Sequence, residues 1–377
     1  MRLDGQRILI LSNFFTQGHG GAPESVLLLA RELSRRSISV DVSCRSGLLR
    51  DVQALDVLPK ADDGAVFRRR RPDMTSYAAL FIAGSWIRQA PFIALRAVWA
   101  GIPIVYSAKG CLCRAEFERL RDMRRIPYFF LVEWLPFLLA RRIVFSSHWE
   151  QHEYVIPGRF WKRRAALVSE PFRGEGGRAD PVAAAPAVTG EIRLGFLAEI
   201  SPRKGLLELI AGLGHYLTSR PDAKLRLVVA GRVRRGSEAY FESCRALAQN
   251  NGAAAYVDWC EPVRGEKRRD FYRSLDMFMC PSRFESFGLT LLEALWQGVP
   301  VCAGPALGVL EHLQPDVPVL RLGALDKEKI AEAMDILASD RNGWRGKGRR
   351  WERRHALKRT NEEIAGDFVE LLAGQDL

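Results

Sequence analysis

Residues 280–295 read Cys280-Pro281-Ser282-Arg283-Phe284-Glu285-Ser286-Phe287-Gly288-Leu289-Thr290-Leu291-Leu292-Glu293-Ala294-Leu295, directly after the apolar run Met277-Phe278-Met279. The pattern is a strand end, a sharp Pro-Ser turn and a helix opening near Phe287. That step is the repeating unit of an open α/β sheet, in which ligands gather at the carboxyl ends of the strands. Glu285 precedes the helix and Glu293 falls in its second turn. Eight steps of about 1.5 Å separate the two by roughly 12 Å. A solvated helix face needs neither the turn nor the Phe287-Gly288 step, so the two carboxylates are read as a site.

Working outward, the same unit recurs. Val299-Pro300-Val301 follows the helix, and Leu227-Val228-Val229-Ala230, Tyr256-Val257 and Ile192 to Leu197 precede the quoted strand. Further back stand Ile143-Val144-Phe145, Ile104-Val105-Tyr106, Ala79-Leu80-Phe81-Ile82, the alternating Ile38, Val40 and Val42, and Ile8-Leu9-Ile10-Leu11. Helix-length segments lie between most of them, which predicts parallel sheets covered on both faces. Between 174 and 190 the chain turns rich in Gly, Ala and Pro and loses periodicity, as a linker does. The predicted organisation is a doubly wound domain over 1–173, a linker over 174–190, a second doubly wound domain over 191–340, and a basic helical segment over 341–377 that crosses back to the first domain.

The 377 residues suffice for two such cores. No run of about 18 apolar residues occurs and Met1 to Arg7 lack a signal-peptide core, so a cytoplasmic protein is expected. The seven cysteines are odd in number and scattered, as small core residues of a reducing compartment are. Cys111-Leu112-Cys113 is spaced too tightly for a zinc ligand pair. A formal charge of +12 implies an anionic partner. Nine basic residues between Arg341 and Arg359, against Glu352 alone, carry much of it.

Two loops are placed for ligand contact. Gly18-His19-Gly20-Gly21-Ala22-Pro23-Glu24 follows the first strand, but it has neither the dinucleotide spacing nor the Lys of a phosphate-binding NTPase loop, and a plain tight turn uses glycine equally. The second is the opening stretch. There one carboxylate would accept hydrogen bonds from sugar hydroxyls and the other from ribose hydroxyls, while the helix N-terminus faces a diphosphate. No Asp-x-Asp occurs, so no divalent metal is implied as the diphosphate holder. His148 and His152, four apart, fit an exposed helix turn better than a metal site.

Through Pro281-Ser282, Glu285-Ser286-Phe287-Gly288, Glu293-Ala294 and Gly298-Val299-Pro300-Val301, the sequence resembles the family 4 glycosyltransferases, group 1 type. The motif match is specific and weaker similarity covers most of the chain. The resemblance implies the GT-B fold, two Rossmann-like doubly wound domains facing across a cleft, and sugar transfer with retention from a UDP- or GDP-linked donor to a glycan or lipid-linked acceptor, in bacterial polysaccharide or lipopolysaccharide synthesis. The nucleotide sugar is then a co-substrate and no cofactor is needed. Glu285 is expected at the donor sugar and Glu293 at the ribose, with Phe287 and the amides of Gly288, Leu289 and Thr290 at the phosphates and Gly20 and Gly21 on the donor side.

The family pairs an Arg with a Lys about five residues on, to neutralise the leaving diphosphate. Lys204 is present, with Arg203 beside it, but Glu199 stands in the place of the Arg. Lys109, in Tyr106-Ser107-Ala108-Lys109-Gly110, stands where the family often has a His. Lys109 and His19 are candidates for acceptor or phosphate contact, and a loop lysine at the surface is an equal reading of Lys109.

The apolar segment Ile126 to Ala140, bounded by Arg124-Arg125 and Arg141-Arg142, is too short to span a bilayer with Glu133 and two prolines inside it. A buried helix is favoured. Peripheral docking on anionic lipid, with help from Arg68-Arg69-Arg70-Arg71, is the sharper reading. Two rival functions remain. A nucleic-acid binder would explain the Arg341 to Arg359 cluster and leave Glu285 and Glu293 unexplained, so nucleic acid is not expected. A catalytically impaired binding subunit would explain Glu199 and Lys109.

Overall fold

The computed structural model of the chain describes residues 3–13, 15, 21–55, 59, 72–114, 129–172, 190–351 and 357–373. The chain divides into two compact units, Met1–Glu175 with Arg359–Leu377, and Gly176–Lys358. The segment read as a linker, 174–190, falls almost wholly outside the described residues, as do His19, Gly20 and Arg68 to Arg71.

In the first unit a seven-stranded sheet has the order β3-β2-β1-β4-β5-β6-β7. Its strands are β1 (Arg7–Ser12), β2 (Ser39–Cys44), β3 (Gly47–Leu49), β4 (Ala79–Ala83), β5 (Ile104–Ser107), β6 (Arg142–Phe145) and β7 (Ala165–Leu167). All pair in parallel except β3, which folds back antiparallel on β2. The described helices are α1 (Gly21–Ser34), α2 (Ala90–Trp99), α3 (Trp134–Leu139) and α4 (His148–His152).

The alternation within β1 shows why both faces are covered. Ile8 and Ile10 join a core cluster with residues of α1, while Leu9 and Leu11 join a second cluster with residues of α2 and Phe137 of α3. Ala79 and Phe81 of β4 divide from Leu80 and Ile82 in the same way. A strand apolar at every position is what a sheet buried on two sides requires.

The second unit has a six-stranded parallel sheet of order β10-β9-β8-β11-β12-β13. Its strands are β8 (Ile192–Leu197), β9 (Leu225–Ala230), β10 (Val257–Cys260), β11 (Met277–Cys280), β12 (Val301–Ala303) and β13 (Val319–Arg321). The helices are α5 (Leu206–Ser219), α6 (Glu238–Asn250), α7 (Gly265–Arg273), α8 (Leu289–Trp296), α9 (Lys327–Ser339) and α10 (Arg341–Trp351). Leu209, Ile210 and Leu213 of α5 and Ile330 and Met334 of α9 close one face over Leu194, Phe196, Leu227 and Val229. The chain then returns to the first unit through α11 (Asn361–Leu372), whose Ile364, Phe368 and Leu372 complete the core beside β1. The basic segment read as one element, 341–377, is therefore divided. Its α10 lies in the second unit and only Arg359 onward lies in the first.

Several expectations shift at their edges. β3, β7 and β13 have three residues each, too short for a period to show in sequence. The strand expected at Val299 begins at Val301, since Pro300 has no N–H for the ladder and contributes only its carbonyl, to the Phe278 amide. The helix expected near Phe287 starts at Leu289, because Gly288 sits at φ +118°, outside helical space.

Candidate active site

The second sheet reverses its winding between β8 and β11, the position where an open α/β sheet leaves a crevice at its carboxyl edge. Two loops meet there. After β8 the chain makes one 3-10 turn, Pro202–Lys204, and enters α5 through Gly205 at φ +71°. After β11 it passes through Pro281 to Gly288 and enters α8. A Cβ at position 205 would stand 1.9 Å from the Pro281 carbonyl oxygen, so only glycine allows the approach. The Arg283 amide donates to the Arg203 carbonyl at 2.8 Å and fixes the two loops in register.

This juxtaposition brings together Lys204, Arg203 and Glu285. The Lys204 ammonium pairs with Glu285 Oε1, and the Arg203 guanidinium reaches Oε2 at 2.9 Å. The Ser282 hydroxyl donates to Oε1 at 3.0 Å. Burial pushes the Glu285 carboxyl upward, but Lys204 and Arg203 outweigh it, with help from Ser282, and hold it at about 2. The group is ionised at neutral pH. Its backbone is held as firmly: Glu285 N–H donates to Ala306, and its carbonyl accepts from Gly308 at 3.0 Å. Phe284 carries the Arg203 guanidinium 5.3 Å above its ring centroid, which limits where that fork can turn.

Glu293 lies one turn into α8. It accepts from the Tyr272 hydroxyl at 2.8 Å and pairs with Arg268, both from α7. Arg268 and Tyr272 stand four apart on one helix face, the spacing that lets two side chains address one acceptor. Leu289 and Thr290 open α8, where helix geometry leaves the first amides without intrahelical partners. Phe287 is buried, its ring 5.6 Å from that of His312.

Sequence reasoning named Glu285, Lys204 and Arg203, and the fold brings these three into direct contact. It did not name Ser282 as a site residue, nor Arg268 and Tyr272. The i, i+4 spacing on α7 was visible, but nothing in sequence ties it to Glu293. Glu199, at the carboxyl edge of β8, stands 3.9 Å from Arg232 and 3.7 Å from Arg234.

In the first unit, Gly21 opens α1. Lys109 follows β5 in a left-handed conformation, φ +51°, and its ammonium pairs with Glu170, which also accepts from the Ser25 hydroxyl. It is a largely buried ion-pair partner and not a solvent-facing loop lysine. Glu150, between His148 and His152 in the turn read as exposed, is buried and accepts from the amides of Gly110 at 2.6 Å and Ser146 at 2.7 Å. Among the described residues no group of His, Cys, Asp and Glu is arranged to hold a metal ion.

The basic cluster of α10 is only partly a solvent face. Arg341 and Arg345 turn inward to Asp276, at 2.7 and 3.0 Å, and Arg345 is 7% exposed.

Residues 183–363 match the family profile described as Glycosyl transferases group 1. That match covers just under half of the chain. Among curated relatives, a D-inositol 3-phosphate glycosyltransferase of Acidothermus cellulolyticus is 28% identical over 184 residues, 47% of this chain and 41% of the relative. A GDP-mannose-dependent alpha-(1-6)-phosphatidylinositol monomannoside mannosyltransferase of Mycobacterium tuberculosis is 30% identical over 190 residues, 48% of this chain and 47% of the relative. The matched part thus spans less than half of those relatives' length. Over the whole chain, the fold is that of solved GT-B glycosyltransferases. Anabaena Alr3699/HepE, solved with UDP and glucose, superposes with TM-score 0.67 at 14% identity, covering 98% of this chain and 100% of that one. WaaG, a glycosyltransferase involved in lipopolysaccharide biosynthesis, gives 0.65 at 12%, covering 97% and 100%.

Proposed function

We propose that this protein is a group 1 glycosyltransferase that moves a sugar from a UDP- or GDP-linked donor to a glycan or lipid-linked acceptor, with retention at the anomeric carbon, in cell-surface polysaccharide or lipopolysaccharide synthesis. The observation that carries the reading is the Lys204, Arg203 and Glu285 cluster at the β8/β11 reversal. Two cations on one buried carboxylate form a site in waiting. An arriving diphosphate offers Lys204 and Arg203 a better partner, and Glu285 is released to accept from a sugar hydroxyl. The first amides of α8 face the same anion.

In this reading the bond from the anomeric carbon to the diphosphate breaks as the acceptor oxygen bonds on the same face. The acceptor proton passes to the departing diphosphate, so no protein nucleophile is called for. Lys204, Arg203 and the α8 N-terminus stabilise the charge that develops there, without a metal ion. Glu293 takes the ribose hydroxyls beside Tyr272.

A lipid-linked acceptor agrees with the first unit's surface. Trp99 and Phe92 on α2 are 83% and 50% exposed, and Phe130, just before α3, is 57% exposed. α2 packs against α3, and the Arg96 guanidinium lies 5.8 Å from the Phe92 ring centroid. Aromatic rings beside cations suit the interface of an anionic bilayer. No helix among the described residues is long and apolar enough to cross a membrane, so the contact proposed is peripheral, at the cytoplasmic face.

The test is a melting-temperature panel with UDP, GDP and their common sugars, followed by transfer or donor hydrolysis with the stabilising donor. Stabilisation by one nucleotide diphosphate and turnover of its sugar support the reading. Stabilisation without turnover supports a silent binding subunit, and no stabilisation by any member overturns the donor site.

A further inference from the structure

The second sheet has an amino edge as well as the carboxyl edge that carries the Lys204, Arg203 and Glu285 cluster, and α10 lies across it. The Arg341 guanidinium donates to the Glu191 carbonyl at 2.9 Å, just before β8, and Arg341 and Arg345 both pair with Asp276, just before β11. The Arg193 amide of β8 donates to the same carboxylate at 2.8 Å. At position 348 a Cβ would stand 2.1 Å from the Gly298 carbonyl oxygen, so glycine lets the helix close on the chain that leads into β12. Arg341, Arg345 and Gly348 recur at i, i+4 and i+7, and one stripe of α10 is thereby committed to the fold.

The other face has a different composition. α10 holds five basic residues and no acidic one. With Arg341 and Arg345 turned inward, Lys347, Arg349 and Arg350 are exposed. They spread over an arc of about 160° and within about 5 Å along the helix axis. Asp340, just before the helix, is turned to the Gly343 amide at 3.1 Å, a full turn before Lys347. Gly346 lies on the same face, and a Cβ there would meet nothing within 4 Å. Packing does not call for glycine at that position, and glycine is a poor helix former. Without a side chain, the backbone can come close to a surface laid against it. The Lys347 ammonium stands 4.5 Å from the centroid of the Trp344 ring, which packs on the second unit's core.

Donor phosphates bind elsewhere. The Lys204, Arg203 and Glu285 cluster follows the carboxyl ends of β8 and β11, and the six residues of β8 part the two edges by roughly 17 Å. The anion that complements Lys347, Arg349 and Arg350 is therefore a different one. The patch is too compact to track a nucleic-acid backbone, and Trp344 is packed rather than presented to bases. Anionic lipid headgroups can gather laterally under a compact basic patch.

We propose that the outer face of α10 is an electrostatic docking surface for an anionic bilayer, with Lys347, Arg349 and Arg350 as its contacts. This docking rests on the lipid-linked acceptor proposed above. It differs from the aromatic contact of the first unit in its residues and in its physical basis, charge in place of ring burial.

The experiment measures binding of the full chain to phosphatidylcholine vesicles with and without about one-third phosphatidylglycerol, at low and raised salt. The proteins are wild type, Lys347→Gln, Arg349→Gln, Arg350→Gln and the triple variant, with melting temperature and affinity for UDP and GDP as controls. Wild type is expected to bind the anionic vesicles alone, and more weakly at raised salt. Each single substitution should weaken that binding about fivefold and the triple variant about 100-fold, with both controls at their wild-type values. Wild-type binding kept by the triple variant overturns the inference and leaves the aromatic face of the first unit as the docking surface. No vesicle binding by wild type overturns both surfaces, while the nucleotide affinities decide the donor site separately. Equal binding to neutral and anionic vesicles overturns the electrostatic basis. A duplex oligonucleotide bound more tightly than the anionic vesicles, and lost in the triple variant, assigns the face to nucleic acid and overturns the inference too. Melting temperatures that fall in step with vesicle binding assign the three cations to the fold, with the same result.

Discussion

Lys204 and Glu285, 81 residues apart in the chain, meet as an ion pair because the loops after β8 and β11 touch through Gly205 and Pro281. The pair joins the proposed leaving-group cation to the proposed sugar-binding carboxylate. Glu285→Gln and Lys204→Ala are each expected to lower the transfer rate by about 100-fold or more while far-UV circular dichroism stays native. Wild-type turnover in both variants would remove the site from the mechanism.

The same carboxylate makes the second unit sensitive to acid. Its folded value, about 2, lies below its ordinary 4.5, so the stability it contributes is complete above pH 4.5 and is lost as pH falls from there toward 2. Denaturant titrations between pH 6 and 3 should show wild type losing stability over that window. Glu285→Gln should start about 3 kcal/mol lower and lose less on acidification, because the titrating group is gone. Parallel pH curves for the two proteins contradict the assignment.

Tyr272→Phe removes one donor to Glu293 with little change in volume. Stability is expected to drop by about 1 kcal/mol. If Glu293 binds ribose, nucleotide affinity falls as well, and the deoxyribonucleotide loses less than its ribose counterpart. Isothermal titration of the two sugars reads the difference.

Lys109→Met leaves Glu170 with the Ser25 hydroxyl as its one remaining partner among the contacts above. A nearly buried carboxylate stripped of its cation typically costs about 3 kcal/mol. A lower melting temperature for the first unit, rescued in part by the double variant Lys109→Met with Glu170→Gln, is the expected result. Equal melting of the single variant and wild type would return Lys109 to the surface.

Trp99→Glu and Phe130→Glu place charges on the exposed aromatic face without disturbing a buried residue. Co-sedimentation with vesicles containing anionic lipid should fall several-fold in each, while melting is unchanged. Full retention by the vesicles in the double variant counts against peripheral docking by this face.

Much of the fold was legible because strands buried on both faces are apolar at every position, as Ile8-Leu9-Ile10-Leu11 and Met277-Phe278-Met279 are. The three-residue strands β3, β7 and β13 were not, since they hold no period. At the candidate site, a local motif exposed Glu285, Glu293, Gly288 and Lys204. What stayed hidden was pairwise: Arg268 with Glu293, Arg232 and Arg234 with Glu199, Lys109 with Glu170. Each joins residues 25 to 61 positions apart, and only the strand order decides which loops become neighbours. Lys109 illustrates the limit. Its type and loop position suited a solvent-facing lysine equally, and its partner Glu170 stands 61 residues on, just beyond β7, which the sequence around Lys109 does not mention.

One consequence concerns the order in which the protein is made. α11 supplies Ile364, Phe368 and Leu372 to the first unit's core, sets the tilted Phe368 ring 5.1 Å from that of Phe81, and ties itself to the Phe172 backbone through Asn361 at 2.7 and 2.8 Å. A ribosome therefore finishes the second unit before it releases the last piece of the first. Nascent chains stalled before residue 361 should stay protease-sensitive across residues 3–172, and gain resistance once α11 has cleared the exit tunnel. The unit that is translated first is the one that folds to completion last.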